Sequence, residues 1–342
     1  MRRRIDRLRA TFAAWLFAPG DPRRLAALRI GLAGLLALRL ATGPYLDLAH
    51  QPAALFRPIS FLKLLPQMPP PGVVVPLQVI AVAAALLATV GLWTRVALPV
   101  AYLAALPLIA MTSSLGKTVH NDVLLLLCLV PLLPAAAGDA WSLDSRRPSM
   151  QASEAMPSMG GRRRRRPPAE QRPGWSWRYG WPLRTAMVVI AGAYVFTGYA
   201  KLLHAGPGWV TSGNLRWVLY ASSDAQAHPN VAALFVADRP WLVHLFAAAT
   251  LVVELGWVLV LWRPHLTWLL VPAVIAMHTG IWIAMRLDYY PMVATVMIVF
   301  VNWPAVLARR PPSAPSPGGS HSGQRGHPRD SRSPAAGRAA PR

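Results

Sequence analysis

The strongest constraint on this chain is a series of long apolar runs recurring from Leu25 to about residue 307. Several reach ~17–22 residues, enough for a helix to cross a ~30 Å hydrocarbon core with its backbone bonds closed internally. Hydrophobic residues make up 54% of the 342, with a mean hydropathy of +0.35, which sets soluble domains aside. The expected fold class is all-α: a polytopic integral membrane protein with about eight transmembrane helices. The expected spans are 25–42, 73–92, 96–112, 118–137, 182–203, 241–262, 266–286 and 290–307.

The segments between and around the runs differ in composition. Residues 1–24 are basic and partly amphipathic and are expected to lie on the cytoplasmic surface. Residues 25–307 form the transmembrane domain. Within it, the Arg- and Pro-rich stretch 145–180 cannot bury a core and is expected to be a disordered cytoplasmic linker. The tail 308–342 has the same character. Two long loops, 43–72 and 204–240, are expected on the outer face, the second with a short interfacial helix at 214–221.

The formal charge of +22 is membrane-protein charge and does not imply a nucleic-acid partner. About 26 of the 35 cations fall on one side if both termini are cytoplasmic, as the positive-inside rule requires. The expected location is the plasma membrane, with membrane lipid as a partner. The single cysteine, Cys128, excludes an internal disulfide and any cysteine-based metal cluster. No metal is expected, because the scattered histidines lack ligand spacing. The first apolar run begins late and carries Arg29 and Arg39, so no cleavable signal peptide is expected.

Against this background one residue type is out of place. Only three lysines accompany thirty-two arginines, and Lys201 ends the fifth apolar run in GYAKLLHAGPGW. Arginine holds its proton at any useful pH, whereas a desolvated lysine can release it. Lys201 is therefore a candidate base; the alternative is a lysine snorkelling to the headgroups. Tyr194, Thr197, Gly198, Lys201 and His204 share one helical face by three- and four-residue spacing. Gly198 admits a close neighbouring helix. Trp209 follows the Gly-Pro-Gly break.

Five further polar residues fall in or beside apolar runs. His120, Asn121 and Asp122 open the fourth span, either with Thr118 or Asn121 as the helix cap and Asp122 favoured by the dipole, or with His120 facing Lys201. At ~100° per residue Asp122 should point away from His120. Glu254 lies within the sixth run and His278 within the seventh, where ionisable groups are costly and usually face the interior. They are candidate partners for one another, with Arg29 an alternative partner for Glu254.

These blocks resemble a known family. SLGKTVHNDVLLLL with AAAGDAWSLD, then GAYVFTGYAKLLHAGPGWVTSG, then VVELGWVLVL with MHTGIWIAMRLDYYPMVATVMIVF are similar to successive blocks of HTTM-domain proteins. That module is related to the membrane part of vitamin K-dependent γ-carboxylase. The resemblance covers roughly residues 20–307 and implies catalytic roles for His120 and Lys201, with Lys201 deprotonating a vitamin K-like quinol cofactor. It leaves Asn121, Asp122, Tyr194, Trp209, Glu254 and His278 as pocket or supporting residues. The carboxylase carries a long luminal region after its helices, where this sequence has a short basic tail, so γ-carboxylation of a protein is not implied. Two expectations follow: an epoxidase- or carboxylase-like enzyme acting on a lipid-soluble quinol, or a non-enzymatic membrane protein assisting maturation or export of a secreted peptide, or binding a small apolar ligand.

Overall fold

The computed structural model describes residues 2–116, 119–146 and 174–308. Lys117, Thr118, most of the basic linker and nearly all of the tail lie outside them. The described residues are helical throughout, without strands. In order, the helices are α1 (Arg2–Leu16), α2 (Pro22–Thr42), α3 (Tyr45–Ala49), α4 (Pro71–Val90), α5 (Thr94–Thr112), α6 (Val123–Leu129), α7 (Trp177–Ala205), α8 (Gly208–Thr211), α9 (Asn214–Asp224), α10 (Val231–Ala237), α11 (Pro240–Gly256), α12 (Thr267–Met285), α13 (Tyr290–Phe300) and α14 (Trp303–Leu307).

Six helical segments are long and apolar enough to cross a membrane: α2, α4, α5, α7, α11 with its 3-10 extension to Leu261, and α12 with the turn from Pro264. The buried share of these apolar windows runs from 61% in α2 down to 22% in α12. α2 is thus the central column, packed by α4, α7 and α13. The outer helices keep most of their apolar surface uncovered by protein.

The fourth and eighth apolar runs form shorter helices than expected. α6 begins at Val123 and passes into a 3-10 turn at Val130–Leu132. Pro131 lacks the N–H an α-helix needs there. α13 ends at Phe300, and Asn302 with Pro304 starts a separate short helix. α7 begins at Trp177, earlier than expected, because Ser176 caps it by accepting from Arg178 N at 3.3 Å. The second long loop holds α8, α9 and α10; α9 covers the short helix expected at 214–221, and α8 and α10 add to it.

The end of the bundle where α2 starts is held by charge-to-backbone contacts. Arg29, fully buried, donates to the carbonyls of Ala137 (2.6 Å), Ala140 (3.4 Å) and Trp141 (2.6 Å). Arg29 therefore does not partner Glu254: it sits in the first turns of α2, beside the loop that follows α6. In that loop Asp144 accepts from Trp93 N, Thr94 N and the Thr94 hydroxyl at 2.8–2.9 Å. This supplies the cap that Trp93, held at φ 49°, does not supply to α5.

Candidate functional site

The site begins at a glycine. A Cβ on Gly198 would lie 3.0 Å from the Leu255 side chain and 3.1 Å from Glu254 Cβ, so α7 and α11 meet there with no room for a side chain. One turn later on α7, Lys201 Nζ donates to Glu254 Oε1. The Lys201 and Glu254 side chains keep 19% and 6% of their surface. Lys201 Nζ also lies 5.0 Å from the Trp209 ring centre. α8, which carries Trp209, packs on α11 and so brings the ring back over the end of α7.

A second layer lies beside this pair. Tyr194, one helical repeat before Lys201, has its hydroxyl 3.0 Å from His278 Nε2. Tyr194 stacks on Trp257 at 5.4 Å, and Trp257 meets Phe300 at 4.8 Å. On the other side of His278 stands Tyr289, 5.2 Å away by ring centres, and Tyr289 in turn meets His120 at 5.6 Å. Burial pushes the Tyr289 hydroxyl up from its ordinary range, so it stays protonated at neutral pH.

Two sequence expectations are corrected by this arrangement. Lys201 pairs with Glu254, and His120 packs on Tyr289. Residues 119–122 form a turn before α6, so the helical direction assumed for His120 does not apply, and Tyr289 occupies the space between His120 and His278. Likewise Glu254 and His278 do not pair: His278 turns to Tyr194, and the close approach at Gly198 gives Glu254 to Lys201. Asp122 occupies the N-cap position of α6 but makes no cap bond. Its carboxylate takes a two-pronged contact from Arg39, at 2.7 and 3.0 Å. Arg39 also donates to the Tyr290 hydroxyl at 3.1 Å, and Asn121 Nδ2 donates to the Asp288 carbonyl.

The segment Asp288–Tyr290 thus joins the two polar groups. Its backbone receives Asn121, Tyr289 faces the histidines and Tyr290 supports Arg39. Sequence reasoning did not give a role to Tyr289, Tyr290 or Trp257; the signal available was an Asp-Tyr-Tyr-Pro turn between two apolar runs. The expected α7 stripe divides. Tyr194, Gly198 and Lys201 turn inward, while exposed Thr197 and His204 line a groove.

That groove has a volume of about 940 Å³ and opens between α7 and the α8–α9 segment. Lys201 and Trp209 form part of its wall, with Phe196 and Ala200 as apolar neighbours. Among the described residues, buried polar atoms without a hydrogen-bond partner include Trp209 Nε1 in the groove wall, Glu254 Oε2 on the partner of Lys201, and His278 Nδ1 in the second layer. Such atoms are expensive to bury unless something hydrogen-bonds to them. Among the described residues no three His, Cys, Asp or Glu side chains converge as a metal set. The arrangement offers one cation, one free carboxylate oxygen and a wide apolar approach. No family model, curated protein or solved structure matches this chain.

Proposed function

We propose that the chain is an HTTM-type plasma-membrane protein with eight membrane segments and both termini cytoplasmic, and that its groove receives a lipid-soluble quinol. Membrane insertion is supported by the uncovered apolar surface of the outer helices and by tryptophans at both bundle ends. Trp177, Trp262 and Trp268 are exposed at the end where α2 starts, and Trp217, Trp241 and Trp282 at the other. The two shorter helices, α6 and α13, are counted as the fourth and eighth segments.

The observation that carries the reading is the Lys201–Glu254 pair beside the groove, with one carboxylate oxygen left over. Lys201 Nζ is engaged as the donor to Glu254 Oε1, so the role of base passes from Lys201 to the Glu254 oxygen that has no partner. Glu254 Oε2 accepts the proton of a bound hydroxyl, and the Lys201 ammonium stabilises the oxygen that loses it. Trp209 covers the ring of the ligand, and Tyr194 fixes His278 beside it.

The test is aerobic oxidation of a lipid-soluble naphthoquinol by the purified protein, with dioxygen as the two-electron oxidant and oxygen uptake measured beside quinol loss. Glu254→Gln and Lys201→Ala should each remove the activity, and Lys201→Arg should retain part of it. Full activity in Glu254→Gln would refute the assignment. The groove is wide and apolar, which also favours the second reading, a non-enzymatic site for a secreted peptide or apolar ligand. Binding without turnover in every variant would select it.

A further inference from the structure

At the opposite end of the bundle lies a second pocket, of about 570 Å³, where the α1–α2 connection crosses α7. Gly20 and Gly180 meet backbone to backbone there: a Cβ on Gly20 would lie 2.6 Å from Gly180 Cα. Gly20 and Ser176 exchange two backbone bonds, at 2.9 and 3.2 Å. Arg184 then reaches back from α7 to the last carbonyls around α1, those of Leu16, Ala18 and Pro19. The pocket is a fixed part of the fold.

Its lining carries three guanidiniums, Arg23, Arg24 and Arg184, against one carboxylate, Asp21. Asp21 is engaged as the α2 cap, accepting from Arg23 N at 2.8 Å. Arg24 and Arg184 repel one another across the pocket, and Arg24 Nε is buried without a hydrogen-bond partner. Two like charges facing one cavity, one with an orphaned donor, call for an anion. Below them the lining is apolar, with Val260 and Phe300, and Trp15 and Trp175 stand at the side. α1 lies beside the pocket with exposed Ile5, Leu8 and Phe12 between its arginines, the pattern of a helix resting at a membrane surface.

We propose that this pocket binds the phosphate of an anionic phospholipid headgroup, with Arg24 as the principal ligand and Arg23 at the rim. The proposal rests on the membrane reading above. Guanidinium suits a phosphate by its fork of donors. The apolar lining below and the adjacent α1 match the acyl chains that follow such a headgroup and would be wasted on a free anion.

Carbonate extraction of the full chain separates the two readings first: protein released into the supernatant refutes membrane insertion and this proposal with it. For retained protein, the assay is native mass spectrometry in a neutral detergent, titrated with phosphatidylglycerol or phosphatidylcholine, with inorganic phosphate as competitor. Phosphatidylglycerol should be retained about tenfold better, and Arg24→Gln should lose roughly that factor, as loss of one charge-assisted contact entails. Arg95→Gln, an exposed arginine outside the pocket, should change nothing. If Arg24→Gln does not fold, Arg23→Gln serves, since Arg23 is exposed. Equal retention of both lipids, unchanged retention in the pocket variant, or displacement of the lipid by millimolar phosphate would each overturn the proposal while leaving the quinol site untouched.

Discussion

The Lys201–Glu254 pair makes an asymmetric prediction. In Lys201→Met the Glu254 carboxylate keeps only 6% of its side-chain surface and loses its one partner, with Oε2 already unpaired. Breaking a buried pair in this way costs about 3–5 kcal/mol, unless the carboxylate takes up a proton. In Glu254→Gln the stranded group is Lys201, which keeps 19% of its surface, can reach water through the groove and remains near the Trp209 ring. That variant should lose only ~1–2 kcal/mol. The double variant Lys201→Met/Glu254→Gln leaves no charge to desolvate and should lose about 2–4 kcal/mol, roughly 2–3 kcal/mol less than the sum of the two single losses. At about 2.1 cal/mol/K per residue, 1 kcal/mol moves the Tm of a 342-residue chain by about 1.4 °C, so Lys201→Met should fall by roughly 4–7 °C. Thermal unfolding in a single detergent, followed by circular dichroism at 222 nm, reads all three variants. Losses in the single variants that simply add in the double would refute the pairing, as would a Lys201→Met cost below ~0.5 kcal/mol, typical of an exposed pair.

Other predictions test the surrounding frame. Arg39→Lys keeps the charge but not the two-pronged contact with Asp122, and should lose about 1–2 kcal/mol in the same unfolding assay. Arg29→Met strands the carbonyls of Ala137, Ala140 and Trp141 and should destabilise by roughly 3–5 kcal/mol, opening residues 137–146 to limited proteolysis. A loop still resistant to protease would show that Arg29 does not hold it. Gly198→Val must push α7 from α11, since the Leu255 and Glu254 contacts leave no space, and should lower quinol oxidation as far as Glu254→Gln does. An epitope tag placed within 309–342 should be reached by antibody only after intact cells are permeabilised; labelling without permeabilisation would refute the orientation.

The sequence determined the helical class by itself. Runs of ~17–22 apolar residues in a hydrocarbon layer satisfy their own backbone as helices, and the six helices long and apolar enough to cross a membrane fall where those runs are. It also marked Lys201, Glu254, Tyr194 and His278 as unusual, since polar groups in such runs must find partners inside the protein. It did not determine which partners they take. The sequence offered His278 and Arg29 as partners for Glu254, whereas Lys201 reaches it from α7, which is 29 residues long, about 44 Å. A helix of that length exceeds the ~30 Å hydrocarbon thickness, so residue counts along it do not measure level. The pairing came from Gly198, whose missing side chain lets α7 and α11 touch beside Glu254. The direction of His120 was lost because the residues before Val123 are not helical, and Asp122, which binds Arg39, makes no cap bond to α6. Helix type is a local consequence of backbone hydrogen bonding, and the sequence carries it in full. Partner choice among a few charges in an apolar bundle depends on interhelical distances of a few ångströms, which only the packed structure decides.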